Sequence, residues 1–336
     1  MRYLFTILLL CAAMFVAAQS PYAFTFLELP NGARNSALGG RSISVRDSDI
    51  SLAFDNPAHL TTATHNQLTF NYQNWFKDVN IASVFYGYNP DDKNLTAYGI
   101  RYVDYGKFYG YSEFNQEEGT FTAKDIIASA IYCRQLAPHW SCGVTLKAIY
   151  SIYEKYQSFG MGVDIGFSYH NVEKGVTAAL VLQNAGCQFK GFYSVEGRQK
   201  ISALPVNLEV GVTYKLPKAP LRFSFLYNNV EKWDLSYSTS SSVTDAMAGK
   251  SKGLQGLDMF FRHTVWAVEV IPTNYLYFVV SYNHRKHRDM AIASKRTVAG
   301  FAFGAGFRVK MVEVGFSIVP YQAGSMGYNA TVGIKL

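Results

Sequence analysis

Charge is the commodity this sequence has least of. Asp, Glu, Lys and Arg make up 16% of its 336 residues, against roughly 25% in ordinary water-soluble domains. Basic residues outnumber acidic ones 31 to 24, a formal charge of +7, yet no run of Lys or Arg is longer than a pair. Phosphate tracking needs a concentrated basic face, so nucleic acid is excluded as a partner. A dispersed positive surface suits an anionic glycolipid or an acidic partner instead. Past the N-terminus no stretch offers 18 uninterrupted apolar residues, which excludes a helical membrane span.

Catalytic motifs are missing as well. The sequence has no Gly-rich Lys loop of the Walker type, no GxGxxG, no HExxH, no Ser-x-x-Lys and no Lys-Thr-Gly. His284 and His287, in HRKHRD, have a spacing that could hold a metal on a helix, but they read as a solvated basic loop tip. Arg262-His263, Asp47 and Asp49 could meet inside a fold without forming a catalytic set. No enzyme, metal or cofactor is expected. Cysteine is scarce, with four in all. Cys11 falls in the leader, and Leu10 stands where a lipoprotein signal needs a small residue. Cys133 and Cys142 flank the turn at Ala137-Pro138 and are either cross-strand partners or two free thiols. Cys187 is left over.

What the chain does have is an export leader, aromatics and alternation. Met1-Arg2, an apolar run from Tyr3 to Val16 and Ala17-Ala18-Gln19 form a secretory signal, with cleavage expected after Ala18. Aromatic residues reach 15%. From Met161 the odd positions (Met161, Val163, Ile165, Phe167, Tyr169) are apolar, and the even ones (Gly162, Asp164, Gly166, Ser168, His170) are small or polar. Val206 to Lys215 and Val312 to Ser317 repeat the pattern.

Period-two segments of about ten residues, repeated along a chain, are the signature of a barrel that crosses a membrane. Fourteen can be placed, at 67–76, 80–88, 95–105, 121–136, 141–152, 160–170, 175–185, 206–216, 221–229, 263–271, 275–283, 298–309, 311–319 and 327–336. Their connections alternate, short after even segments and mostly long after odd ones, including 106–120, 186–205, 230–262 and 284–297. Periplasmic turns of outer-membrane barrels are short and external loops long. The parity therefore supports an even strand count and places both termini in the periplasm.

One stretch fits no strand: 27–60, LELPNGARNSALGGRSISVRDSDISLAFDNPAHL. It is too polar for a span and has no helical stripe. It is expected to plug the barrel, with Gly39 and Gly40 permitting close wall approach or positive φ and Asn56-Pro57 marking the exit turn toward the first strand. The expected organisation is a signal peptide (1–18), an N-terminal plug (19–66) and an all-β outer-membrane barrel of about fourteen antiparallel strands (67–336).

Leu29-Pro30, Ala33-Arg34, Ala37-Leu38-Gly39-Gly40 and Asn56-Pro57-Ala58, followed by this strand series, resemble the PorQ family of the type IX secretion system. That family is related to PorV and more distantly to FadL-type barrels. The likeness continues through Tyr105-Gly106, Asn184-Ala185-Gly186, Leu204-Pro205, Trp233-Asp234-Leu235, Arg262-His263 and Ser281-Tyr282-Asn283. It implies a plugged fourteen-stranded barrel that anchors a PorZ-like surface protein, in an attachment complex with PorU- and PorV-like components. That complex removes sorting domains from cargo and joins the cargo to anionic lipopolysaccharide.

The longest connection, 230–262, is the expected docking loop, with Trp233, Asp234, Leu254 and Phe260 as candidates and a short helix over 254–262. The alternative function is a FadL-like channel for hydrophobic small molecules. It needs an apolar pocket between plug and wall, and the small polar inward positions listed above for 161–170 weigh against it.

Overall fold

The computed structural model describes residues 22–336 apart from 90, 92, 115, 196–197, 236–251, 274, 291–297 and 323–324. The leader and the serine-rich tract at 236–242 lie outside the described residues. Among those described, no helix is long and apolar enough to cross a membrane.

Strands do the spanning. In chain order they are β1 (Gln67–Phe76), β2 (Val79–Tyr88), β3 (Asn94–Tyr111), β4 (Glu117–Ala137), β5 (Trp140–Tyr153), β6 (Tyr156–Asn171) and β7 (Val176–Lys190). A miniature hairpin, β8 (Ser194–Val195) with β9 (Arg198–Gln199), interrupts the series. Then come β10 (Asn207–Lys215), β11 (Leu221–Tyr227), β12 (Thr264–Thr273), β13 (Leu276–Asn283), β14 (Phe301–Val309), β15 (Val312–Gln322) and β16 (Ser325–Lys335). Leaving out the small hairpin, fourteen antiparallel strands form one closed barrel. β1 meets β16 from Gln67↔Lys335 to Asn74↔Tyr328. Closure leaves no sheet edge with unpaired backbone groups in lipid.

The alternation read from the sequence sets the two faces. In β11, Arg222 and Leu226 are buried inside, while Phe223 on the other face is exposed. In β6, Asp164 and Ser168 are buried and Met161 and Phe167 exposed. Bulky apolar side chains thus point out from the wall, as a lipid-facing surface requires.

Two local features differ from the sequence expectation, and one alternative left open there is resolved. The connection at 106–120 is largely strand, because β3 and β4 run on past the wall as a hairpin. Gly106 turns it at φ 81°, and Phe108 stacks on Phe121 with ring centroids 5.3 Å apart. Cys133 and Cys142 are not opposed. Cys133 pairs with Gly143 and Cys142 with Arg134, so a one-residue offset puts the thiols on opposite faces, and both are free. HRKHRD is not a solvated tip but a helix, α4 (His284–Asp289), capped by the Asn283 side chain accepting from Lys286 N–H.

Residues 22–66 run through the lumen. They form the short helices α1 (Ala33–Ala37) and α2 (Ile50–Ala53) and three 3-10 turns. Nearly every side chain from Ala33 to Leu60 is buried. The wall makes room for them with inward glycines. A Cβ at Gly143 would run into the carbonyl of Pro57, and one at Gly166 into Asn56.

The described N-terminal end is not at the short-turn side, where the parity of the connections placed it. Ala23 N–H donates to Ala203 O in a long connection, and Phe24 packs near Phe192. At the long-loop end Phe24, Phe26, Leu27 and Leu29 pack against apolar side chains of the wall. The C-terminus does lie at the short-turn end, where Leu336 N–H reaches Asn66 O.

Candidate functional site

The site is the space between plug and wall, and two kinds of contact define it. The first is ionic. At the short-turn end α1 carries Arg34 inward and the loop before α2 carries Asp47. Arg34 Nη2 lies 2.8 Å from Asp47 and 3.2 Å from Glu269 of β12. Arg222 of β11 pairs with Glu269 and stands 3.4 Å from Asp47, and Arg308 of β14 stands 3.8 Å from Asp47 and 2.8 Å from Glu313. The Arg34 guanidinium also sits 4.4 Å over the Tyr277 ring. Burial alone would raise the Asp47 carboxyl, but Arg34, Arg222 and Arg308 together hold it well below the usual carboxylate range. Burial would likewise lower Arg34, and Asp47 and Glu269 outweigh it, leaving Arg34 firmly charged.

Higher in the lumen Arg41 reaches across to Glu209 at 3.1 Å, to Gln183, and to the Leu27 carbonyl. Glu209 and, behind it, Glu28 keep Arg41 charged against the cost of burial. Asp55 is the hub of the plug itself. It accepts from Asn31 and Asn35 Nδ2 and from Ser42 N–H, although burial still leaves its carboxyl raised. A bulge in β7 at Asn184 (φ 56°) lets that residue's N–H donate to Asp164 while its Oδ1 accepts from Lys147, which also pairs with Asp164 at 2.6 Å.

The second kind of contact is apolar, and the sequence reading missed it. The polar inward sets belong to β6 and β10. The inner face of β2–β5 is different, with Ile81, Phe85, Leu95, Val103, Ile127, Ile131 and Ile149 all buried. Toward the long-loop end this wall is covered by Phe24, Phe26, Leu27 and Leu29. Toward the other end it is covered by Ile50, Phe54 and Leu60, with Phe54 stacked on Phe85 at 3.8 Å between ring centroids. Between the two patches a narrow, mostly polar space is lined by Leu27, Leu29, Phe54 and Phe85 on one side and by Arg41, Asp55, Arg101, Lys147 and Gln183 on the other. Arg101 donates to the Leu29 carbonyl at 2.9 Å.

The residues singled out from sequence fall in different places. Pro30 offers its carbonyl to Gln73. Ala33 N–H donates to Thr331, and Ala37 lies against Gly304 of β14. Leu38 is buried with Val45 and Leu52. Gly39 and Gly40 have φ of 99° and 116°, and a Cβ on them would meet Val265 and Lys286. Asn56, Pro57 and Ala58 do not form the exit turn. Asn56 caps a 3-10 turn against β5 and β6 and ties its amide to Ile43 O, and the exit to β1 follows at 61–66.

The docking candidates lie in the connection between β11 and β12. Trp233 is exposed and stacks on His263. Asp234 lies beside it in the chain. Leu254 and Phe260 belong to α3 (Lys252–Arg262), with Phe260 exposed. Among the described residues no group of His, Cys, Asp and Glu is arranged to hold a metal. The sequence reading did not single out Arg222 or Glu269; each sits at an inward position of its strand and pairs with plug residues, Glu269 with Arg34 and Arg222 with Asp47.

No family model matches this sequence, and no curated protein matches it. Solved structures do. The Ralstonia pickettii toluene transporter TbuX superposes with a TM-score of 0.53 at 11% identity, over 93% of this chain and 98% of that one. The Pseudomonas putida toluene transporter TodX gives 0.54 at 9%, over 91% and 96%. The CymD monoaromatic hydrocarbon channel gives 0.52 at 11%, over 93% and 97%. At 9–11% identity the likeness is one of fold, a closed barrel of fourteen antiparallel strands.

Proposed function

We propose that this protein is an outer-membrane channel of the FadL type that admits small hydrophobic molecules past a plug clamped by ion pairs. The observation that carries the reading is the apolar inner wall of β2–β5, which the plug residues Phe24, Phe26, Leu27 and Leu29 cover. Displacing 22–29 would uncover the wall residues Ile81, Val103, Ile127 and Ile149. TbuX and TodX are toluene transporters, and the shared architecture supports the same class of cargo here. The export leader and the lipid-facing outer surface support an outer-membrane location.

The test is uptake of radiolabelled toluene or oleate by a Gram-negative host lacking its own hydrocarbon channels. Expression should accelerate uptake, and Ile127→Glu, which places a charge on the apolar wall, should remove most of the gain while the barrel keeps its heat-shifted gel band. Uptake no faster than with an empty vector would overturn the proposal.

A second reading is the PorQ-like one: anchorage of a PorZ-like surface protein beside PorU- and PorV-like components and lipopolysaccharide. The motif likeness and the exposed Trp233 at the outer rim favour it. A detergent pull-down that returns a β-rich surface protein, lost when 230–262 is shortened, would move this reading ahead of the channel.

A further inference from the structure

Helix α3 is built inside out for a helix in water. An amphipathic surface helix buries its apolar stripe and exposes its charges. Here the charges face the protein. Arg262, buried, pairs with Asp258 at 3.0 Å on its own helix and with Asp289 of α4 at 2.9 Å. Asp258 also accepts from His284 Nε2 at 2.9 Å and lies 3.2 Å from Arg288. The opposite face presents Leu257, Phe260 and Phe261, which are 58%, 41% and 43% exposed.

These side chains do not stand alone. Phe260 lies 5.8 Å from the ring of Tyr227, and Phe261 lies 6.0 Å from His284, which in turn neighbours Tyr282. Tyr282 stands 4.9 Å from Phe301. Tyr227, Tyr282 and Phe301 occupy the outward positions at the long-loop ends of β11, β13 and β14, next to exposed Trp266 on β12. The apolar face of α3 therefore continues the outward aromatic surface of the barrel without a break. Trp and Tyr rings in such a row mark the depth of a membrane interface.

We propose that α3 is an interfacial helix whose Leu257, Phe260 and Phe261 side chains insert into the acyl region of the outer leaflet beside β11–β14. The occupant of this face is lipid, because lipid already covers the strand surface with which the face is continuous. Arg285 and Arg288 of α4 are partly exposed and pair with Asp289 and Asp258 on the side of α3 away from that face. The assignment takes α3 out of the set of surfaces available to a soluble partner, and it rests on the reading of the barrel as membrane-embedded.

The test uses the full chain with its free cysteines replaced by serine and a nitroxide at Leu257→Cys, reconstituted in vesicles of phospholipid and lipopolysaccharide. Phe303→Cys on β14 serves as the lipid reference, and Glu113→Cys on the β3–β4 connection as the aqueous one. Collision with oxygen should exceed collision with a polar nickel chelate several-fold at 257, as at 303, with the reverse at 113. A label at Phe261→Cys repeats the measurement should the first variant not fold. If 257 and 261 read like 113 while 303 reads as lipid, α3 lies in water and the proposal falls alone. If 303 itself reads as aqueous, the embedded barrel falls with it.

Discussion

Asp47 is the residue on which the lower plug turns, since three arginines from one plug helix and two strands converge on it. Replacing it with Asn leaves Arg34 and Arg222 sharing Glu269 alone. The expected cost is about 3 kcal/mol, the low end for a broken buried pair because Asp47 is partly exposed, measured as a lowered urea midpoint in detergent. His59 makes the plug acid-sensitive. Burial, and after it Arg46, push its imidazole down to about 3. Its Nδ1 faces the Val45 carbonyl and its Nε2 the Ser168 hydroxyl, a pairing that suits the neutral ring with the proton on Nδ1. Since the unfolded chain binds that proton near pH 6.5 and the folded chain does not, stability should fall as pH drops from about 6.5 toward 3. The Asp47 carboxyl, depressed in the fold, adds a further loss below about pH 4. A thermal midpoint that drops between pH 7 and pH 5, with the drop removed by His59→Asn, would confirm the sign.

At the scale of elements, the wall and the plug are fitted through glycines on strands that would otherwise favour β-branched residues. Gly143 and Gly166 admit the Asn56-Pro57 turn, and Gly304 admits Ala37 of α1. Gly143→Val should leave strand pairing between β4, β5 and β6 intact and force the turn off the wall, with overpacking worth about 1–3 kcal/mol. The expected readout is a larger single-channel conductance in a planar bilayer with an unchanged heat-shifted band. Unchanged conductance would mean that the turn does not occlude the pore. Helix α4 fastens the plug from the other end, through Lys286 Nζ donating to Gly39 O at 3.1 Å. Burial pushes Lys286 down to about 8. Its charged form is thus disfavoured in place, and the α4 contact should tighten as pH rises from about 8 to 10.5. Slower hydrogen exchange at the helix, after correction for intrinsic rates, would show it.

For the whole molecule, closure is the condition for everything else. β16 pairs with both β1 and β15, and removing it would open two edges whose backbone groups find no partners in lipid, at several kcal/mol each. Deleting 325–336 should abolish the heat-shifted folded band entirely, whereas deleting 22–29 should not, because no strand depends on that segment. The lumen wall is also uneven around the barrel. Apolar inward side chains are concentrated on β2–β5, with Arg101, Asp125 and Lys147 among them, while the ion-pair clamps draw on β5, β6, β10–β12, β14 and β15.

Alternation with period two, the parity of short and long connections and the absence of any apolar helix were enough to determine a closed barrel of fourteen strands, because each reflects local geometry or the solvent on one face. Strand ends at 106–120 and the helix at HRKHRD were not legible, since cross-strand stacking of Phe108 on Phe121 and the docking of Lys286 on Gly39 join residues far apart in the chain. The same holds for the site. Inward charges such as Asp164 and Glu209 could be read from the pattern, but their partners Lys147 and Arg41 could not. Tertiary structure alone decided that β2–β5 face the lumen with apolar side chains, that 22–29 enters from the long-loop end, and that α3 turns its apolar face outward. Alternation reveals that a strand has two faces; only closure around a particular plug decides what each inner face must touch.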